Sequence, residues 1–502
     1  MPIIPLKCPS CGAQLKADSD SAILTCKYCG TNSVMKEAIV QNYVQNTVNI
    51  SAATVNVCSQ KDFVIRGGML EKYCGESVDV VIPSNVTAIG QWAFEGLQIK
   101  SVVIPNSVRE IEDYAFSHCA SLASITIPNS VTKIGNNAFG WSTALKSITL
   151  PSRIASIGDC SFCGCSSLIS VAIPSGVAKI EYSMFKGCTA LKSVTLPDTI
   201  TEISYSAFED CVALKSVVIP NGVKKIDSLA FKGCKSLEKI IIPSSVTEIG
   251  SSAFADCSAL KSVSLPNSIV EMGSNIFSGC VSLPTITLPG NMDRVCGGFN
   301  GCTALKTVVI SKGSVKEICN SAFKDCPALT SVIIPNGITK IGQSAFNNCS
   351  SLTSVTIPET VTTIESSAFN NCTALKSVTI PGSVTKIGFS AFQDCRSLSV
   401  LTLGEGVEWI EFCAFENCNS LTSITIPKSV QSIKHDAFKG CTALKSVNIL
   451  NNKTYIETDA FKEYDEYIVE KRRREGKCQN CGGRFTGIFQ SVCSKCGRKK
   501  DY

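Results

Sequence analysis

Histidine and tryptophan are scarce in this sequence, with two and three residues among 502. The histidines, His118 and His435, lie 317 positions apart, so they predict no shared catalytic or metal site. Ser–His–Asp sets, paired catalytic carboxylates, phosphate-binding loops and glycine-rich dinucleotide motifs are also missing. We therefore expect that the protein is not an enzyme.

Long apolar runs are missing too. The first residues, MPIIPLKCPSCGAQL, contain neither an apolar core nor a small-residue cleavage site, so we expect no signal peptide. No stretch approaches the ~18 apolar residues of a membrane span. The chain nevertheless has 29 cysteines, and without an export signal they favour a reducing compartment, where thiols bind metal or pack. These features predict a cytoplasmic protein.

An excess of one charge is confined to the C-terminus. Residues 470–502 carry a net charge of +7, whereas the whole chain carries +6. A generally basic surface for nucleic acid is thereby excluded, and only the tail could bind phosphates. The alternative for this tail is a solvated helix, because Phe461, Tyr464, Tyr467 and Ile468 follow a helical spacing.

Repetition is what the sequence has in abundance. The heptapeptide CTALKSV occurs at 188–194, 372–378 and 441–447, and an Ala-Phe or equivalent pair recurs every 23 residues, with a few steps of 22 or 24. A fixed period of this length predicts a solenoid of stacked coils. The 17 marker phenylalanines are Phe94, Phe116, Phe139, Phe162, Phe185, Phe208, Phe231, Phe254, Phe277, Phe299, Phe323, Phe346, Phe369, Phe392, Phe415, Phe438 and Phe461.

One coil, starting at residue 352, reads LTSVTIPETVTTIESSAFNNCTA. Its opening alternates apolar and small polar residues, which predicts a strand with one buried face, and Pro358 ends that strand. Val361 and Ile364 are expected to point inward from the return path. A coil cannot bury its apolar residues alone, so each requires a neighbouring coil.

This pattern, IP-x-SV-x-x-IG-x-x-AF-x-x-C-x-x-L-x-S, resembles the BspA-type leucine-rich repeats over about residues 79–462. The resemblance implies a leucine-rich-repeat solenoid of about 17 coils with a parallel β-sheet on its concave face. Segment 63–83 resembles the hairpin that precedes such arrays. The tenth unit reads RVCGGF instead of IGxxAF, so we expect an irregularity near 291–315.

Cysteine follows the phenylalanine by three residues in fourteen units. Coils ~4.8 Å apart would align these residues in a ladder, a spacing that would permit some disulfides. We favour small, buried, inert thiols that fill a tight turn. The ladder consists of Cys119, Cys165, Cys188, Cys211, Cys234, Cys257, Cys280, Cys302, Cys326, Cys349, Cys372, Cys395, Cys418 and Cys441.

Another cysteine group, Cys160, Cys163 and Cys165, could form a third metal or redox site. Since Cys165 belongs to the ladder, only two extra thiols remain, and coincidence is the better interpretation.

Two pairs of CxxC motifs lie outside the repeats. Each motif is followed by glycine, and two such knuckles supply four thiolates for a tetrahedral, structural zinc ion. Both segments resemble zinc ribbons, which predicts two structural Zn²⁺ ions. Redox CxxC pairs would need a thioredoxin-like βαβ context, which is absent. The predicted ligands are Cys8, Cys11, Cys26 and Cys29, and Cys478, Cys481, Cys493 and Cys496.

These features give a domain plan and a functional expectation. The plan is an N-terminal zinc ribbon at 1–35, a connector at 36–60, a cap hairpin at 61–78, repeats at 79–462, a basic helical linker at 463–476 and a C-terminal zinc ribbon at 477–502. The strands expose rows of Ser and Thr edged by lysines, a flat surface suited to binding a protein partner. The alternatives are a nucleic-acid-associated protein that uses the ribbons and tail, and a surface adhesin.

Overall fold

The computed structural model describes residues 60–296 and 298–475, together with short strands nearer the two ends of the chain. The chain divides into two compact units, Met1–Pro220 and Asn221–Tyr502. The end strands form antiparallel pairs, namely Leu6–Lys7 with Gln14–Leu15, Ile23–Thr25 with Asn32–Met35, and Phe485–Thr486 with Val492–Cys493.

The predicted strand of most coils joins a parallel ladder, called ladder A here; residues 216–218 form no strand, and Ser354 makes only an isolated bridge to Ser377. Equivalent residues pair between neighbouring coils, as Ile125 does with Ile148, and the middle residue of the strand is buried. The first unit contributes Asp79–Val81, Ser101–Val103, Ser124–Thr126, Ser147–Thr149, Ser170–Ala172 and Ser193–Thr195. The second unit contributes Lys239–Ile241, Ser262–Ser264, Thr285–Leu288, Thr307–Ile310, Ser331–Ile333, Ser377–Ile380, Val400–Leu403, Ser423–Ile426 and Ser446–Ile449.

The return path, which we expected only to point residues inward, forms a second parallel ladder, called ladder B. Its strands have two residues, one outward and one buried, as Lys133 and Ile134 are. The first unit contributes Ala88–Ile89, Glu110–Ile111, Lys133–Ile134, Ser156–Ile157, Lys179–Ile180 and Glu202–Ile203. The second unit contributes Lys225–Ile226, Glu248–Ile249, Glu271–Met272, Arg294–Val295, Glu317–Ile318, Lys340–Ile341, Thr363–Ile364, Lys386–Ile387, Trp409–Ile410, Ser432–Ile433 and Tyr455–Ile456.

A hairpin covers the first coil, as the sequence predicted. After a 3-10 turn at Gln60–Asp62, strands Phe63–Arg66 and Met69–Tyr73 pair antiparallel, and the second of them extends ladder B by pairing parallel with Ala88–Ile89. The ring of Tyr73 stacks on that of Phe94, with centroids 5.5 Å apart. The hairpin therefore buries the apolar residues of the first coil.

The marker phenylalanines form a column inside each unit. Their rings stack in parallel on the rings of the neighbouring coils, with centroids 4.9–5.6 Å apart from Phe94 to Phe208 and 4.7–5.6 Å apart from Phe231 to Phe461. Full burial of a side chain of this size is worth about 1.5–3 kcal/mol, and only adjacent coils complete it. This column explains why the Ala-Phe pair recurs.

The cysteine ladder does more than fill space. The ladder thiols are free and buried, and Cys257 donates its S–H to the carbonyl oxygen of Phe231 in the preceding coil, at 3.3 Å. Where Ser142 replaces cysteine, its hydroxyl makes the same bond to the carbonyl of Phe116, at 2.8 Å. Burial and free thiols agree with the prediction, and the hydrogen bond adds a role that the sequence did not predict. The thiol is a second donor to a carbonyl that also accepts a backbone N–H, as Phe231 does from Cys234.

Two left-handed residues bracket each marker phenylalanine. The residue two positions before it has a φ between 50° and 61° in every described coil except that of Phe299, and the residue two positions after it is left-handed from Gly96 to Gly440. The second position is mostly Gly, Asp or Asn, which tolerate this conformation best. Gly298, which directly precedes Phe299, also has a positive φ, and a Cβ there would overlap Cα of Asn275.

The irregularity expected near 291–315 is confirmed: Glu271–Met272 and Arg294–Val295 of ladder B belong to different sheets, whereas ladder A continues through this region. In ladder A, Thr285 pairs with Thr307 and Thr307 with Ser331, so steps of 22 and 24 residues replace two of 23. A disulfide joins Cys296 to Cys319, whose Cα atoms are 5.0 Å apart. Neither cysteine belongs to the ladder.

A helix at Lys462–Arg474 follows the last coil. It is anchored by Glu463, whose carboxylate accepts a hydrogen bond from the Gly440 N–H at 2.7 Å. Farther along, Glu470 pairs with Arg473 and Arg474, so part of the basic run is neutralised locally. Of the helices in the described part of the chain, none has the length and apolar character needed to cross a bilayer.

Candidate interaction surface

The outward face of ladder A is lined by hydroxyl groups. In the strand Ser147–Thr149, Ile148 is buried while Ser147 and Thr149 are exposed. The same alternation places Ser193 and Thr195 outward and repeats in both units. The Ser/Thr rows predicted from the sequence are therefore on the surface, where they can donate and accept hydrogen bonds.

Branched apolar side chains interrupt these rows. Val218, Ile241, Ile333 and Val400 occupy outward positions of ladder A coils and are 83%, 56%, 60% and 57% exposed. Sequence reasoning missed them because they replace Ser or Thr singly, without a pattern of their own. Exposed apolar groups on a flat polar sheet provide area that a protein partner can bury.

A row of lysines borders the same face, at the position just before the strand in several coils. Of the lysines in this row, only Lys261 has a carboxylate partner within the described residues, Glu238 at 3.1 Å. The other lysines of the row are all exposed. In the ladder A strands the one carboxylate is Asp79, which accepts a hydrogen bond from Ser101. The face is thus positively charged. The row consists of Lys146, Lys192, Lys215, Lys261, Lys306, Lys376 and Lys445.

The outward face of ladder B differs, because its lysines pair with glutamates of neighbouring coils. Lys179 lies 2.8 Å from Glu202 in the first unit. In the second unit, a hydrogen bond of 2.9 Å between Lys434 and Glu457 raises the pKa of the lysine and lowers the pKa of the glutamate. The further pairs are Lys133 with Glu110, Lys225 with Glu248, Lys340 with Glu317 and Glu365, and Lys386 with Glu411.

The groups with potential for chemistry do not assemble a catalytic set in the described residues. Burial raises the pKa of Cys163 to about 11, and that of half-buried Cys160 also rises through burial, so neither is a ready nucleophile. The ring of His118 stacks on Trp141, with centroids 5.3 Å apart. His435 is exposed beside Asp436 in the other unit. No group of three metal-binding side chains occurs among the described residues.

Most of the predicted zinc ligands lie outside the described residues. This applies to Cys8, Cys11, Cys26, Cys29, Cys478, Cys481 and Cys496, and for Cys493 the structure describes only its place in the strand Val492–Cys493. The connector before Gln60 is likewise outside them. The zinc ribbons and the domain limits thus remain predictions.

Known proteins confirm the type of repeat. Sequences described as "BspA type Leucine rich repeat region (6 copies)" match at residues 72–192, 179–297, 224–353, 296–399 and 339–468. No curated protein matches the chain.

A solved structure has a similar fold. A leucine-rich repeat protein from Bacteroides ovatus is 28% identical, covers 82% of this chain and 90% of its own, and has a TM-score of 0.51. A leucine rich cell surface protein from Faecalibacterium prausnitzii is 24% identical. The match covers 82% of this chain and 98% of that protein's chain, with a TM-score of 0.38. The matched segments extend over most of the chain, from residue 72 to 468, and the chain therefore belongs to the BspA-type leucine-rich repeat proteins.

Proposed function

We propose that this protein is a non-catalytic scaffold that binds a protein partner along the outward face of ladder A. The proposal rests on one observation: among the described residues, every lysine of the ladder A row except Lys261 is without a carboxylate partner and branched apolar side chains are exposed there, whereas ladder B pairs its charges. Apolar area supplies affinity at an interface, and unpaired charge supplies orientation and specificity.

The partner is expected to present an acidic surface with apolar side chains at its centre. Such a surface complements the lysines and the exposed apolar side chains of either unit, Val218 in the first and Ile241, Ile333 and Val400 in the second, without leaving a buried charge unpaired. The hydroxyl rows would then supply adaptable hydrogen bonds over several consecutive coils. This mode of binding is typical of solenoids, whose repeated strands form an extended surface.

Affinity capture with the full chain, followed by mass spectrometry, identifies the partner, and calorimetry then measures its affinity. Lys192→Glu with Lys215→Glu should weaken that affinity at least tenfold. The matched control is Lys133→Glu with Lys179→Glu, which changes the net charge equally but lies on ladder B. Equal affinities for all three proteins, together with loss of binding on removal of residues 471–502, would make the basic C-terminus the functional part.

We also propose two structural zinc ions, held by the four CxxC motifs. Small modules of this kind gain their folding free energy from the metal. Metal analysis of protein never exposed to chelator should give close to two zinc ions per chain. A value near zero would refute the proposal. Replacing Cys11 and Cys481 with Ser should reduce the zinc content while leaving the unfolding of the repeats unchanged.

A further inference from the structure

Exposed aromatic side chains gather on ladder B in the last coils of the second unit. Trp409 and Tyr455 occupy outward strand positions and are 38% and 62% exposed. Phe389 and Phe412, which follow ladder B strands in successive coils, are 49% and 41% exposed. These four residues, called the aromatic patch, place four rings at the surface within four consecutive coils, although such side chains are normally buried.

The strand register arranges part of the patch as a platform. Trp409 pairs with Ser432, and Ser432 pairs with Tyr455, so the two rings are two coils apart, about 10 Å at the usual strand spacing. Ser432 lies between them and is only 8% exposed, whereas Ser156 at the equivalent place in the first unit is exposed. We attribute this burial to the flanking Trp409 and Tyr455.

Polar groups converge beside this platform. A depression of about 350 Å³ is lined by Thr363, Glu365, Lys386, Phe389 and Glu411 among others, and Lys386 lies 2.8 Å from Glu411 across it.

The next coil carries a similar group. Nζ of Lys434 lies 5.9 Å from the centre of the Phe412 ring and 2.9 Å from Glu457. Phe389 and Phe412 thus each lie near a lysine that pairs with a glutamate. Each of these two ion pairs has no net charge.

We propose that the aromatic patch binds a neutral oligosaccharide. The apolar C–H faces of pyranose rings stack on aromatic rings, and their hydroxyls exchange hydrogen bonds with lysine and carboxylate groups. The separation of Trp409 and Tyr455 suits a disaccharide step along the chain.

Other occupants fit less well. A nucleic acid needs unpaired cations, and an added peptide strand needs an open sheet edge, whereas the strands of Lys386, Trp409 and Ser432 are paired on both sides.

Tryptophan fluorescence tests the proposal directly, because the chain has three tryptophans. In a Trp92→Phe, Trp141→Phe background, Trp409 is the sole reporter. Titration of the full chain with cellohexaose, xylohexaose, mannohexaose and N-acetylchitohexaose should give a saturable change in its emission for at least one of them. Calorimetry on the otherwise native chain should then show at least tenfold weaker binding of that sugar after Trp409→Ala with Tyr455→Ala.

The controls separate this site from the ladder A surface and from misfolding. Lys192→Glu with Lys215→Glu should leave sugar affinity unchanged, and the circular dichroism of the aromatic variant should match that of the native chain. Binding without a saturable Trp409 signal, or equal sugar affinity in the aromatic variant, would overturn the proposal. It would also be overturned if no hexaose bound while Trp409→Ala with Tyr455→Ala dissociated a dimer, since the patch would then join two copies of this chain.

Discussion

The outward faces of ladder A and ladder B are made by the same coils over one interior, yet their charges are arranged differently. On ladder B, Lys179 and Glu202 neutralise each other across a coil boundary at 2.8 Å. On ladder A, Lys192 and Lys215 stand in adjacent coils with no carboxylate partner among the described residues. The contrast teaches that regularity alone does not define a binding surface. A face whose charges are already paired offers little electrostatic gain to a charged partner.

Alkaline pH should have the largest effect on stability, because it ionises thiols in the interior beneath both faces. Burial raises the pKa of Cys119 and of Cys441 to about 12, above the ordinary value of 9.0, and the other ladder thiols whose pKa shifts are resolved rise in the same direction. The fold favours the neutral thiol, so its stabilisation is complete below pH 9 and is lost as the pH rises from about 9 to 12. We expect unfolding in that window.

Circular dichroism recorded with thiolate absorbance during a pH titration checks this. The ladder thiols should ionise together with the loss of strand signal. If most of the thiols ionise while the native strand signal persists, they are not buried. The description of a thiol-lined interior beneath both ladders would then be wrong.

Charge placed on ladder A should have the next largest effect. Thr356 and Thr379 are exposed on adjacent coils, so Thr356→Glu with Thr379→Glu should alter stability by less than about 1 kcal/mol. Partner affinity, measured by calorimetry, should fall ten- to hundredfold, because unmatched charge at an interface is costly.

The control adds the same two charges beside ladder B, through Thr385→Glu with Gln431→Glu, and should leave partner affinity unchanged. Asn347 and Asn370, which follow marker phenylalanines, would be unsuitable control positions, because they hydrogen-bond to each other at 3.1 Å. If the ladder B control weakens binding as much as the ladder A variant, the two faces do not differ in function.

A single cysteine should give a smaller effect, on stability alone. Cys257→Ala removes the thiol and its hydrogen bond to the Phe231 carbonyl, which keeps only the one from the Cys234 N–H, and should cost about 1–2 kcal/mol. Cys257→Ser should cost less, since Ser142 already makes the equivalent bond to Phe116. Urea unfolding of the three proteins measures the difference. Equal destabilisation by Ala and Ser would mean that the thiol matters only for packing.

Breaking a ladder B ion pair should have the smallest effect. Lys179 and Glu202 retain 46% and 27% side-chain exposure, and partly exposed pairs contribute about 0–1 kcal/mol. A double-mutant cycle with Lys179→Met and Glu202→Gln should give a coupling in that range, which diminishes as salt is added. Lys192→Met on ladder A should show no coupling with Glu202. A salt-independent coupling would contradict the exposed, solvent-screened nature of the pair.

The period predicted what each coil requires for its own packing. Phe254 and Cys257 could be placed from spacing because their roles repeat every 23 residues. Ladder B was missed because a strand such as Lys179–Ile180 is too short to show alternation, and the thiol bond was missed because its acceptor belongs to the preceding coil. The aromatic patch has no periodic signal at all, since function at a surface depends on exceptions to a repeat.

The bond from each ladder thiol to the preceding phenylalanine carbonyl also bears on how such genes change in length. Because Cys349 contacts Phe323 in the same way as Cys372 contacts Phe346, at 3.2 and 3.3 Å, neighbouring coils present interchangeable surfaces. Duplicating or deleting one whole coil therefore leaves every remaining coil with a compatible neighbour, whereas an insertion of a few residues does not. Recombination between near-identical stretches such as CTALKSV can thus lengthen or shorten the array while the hairpin and the final helix are retained.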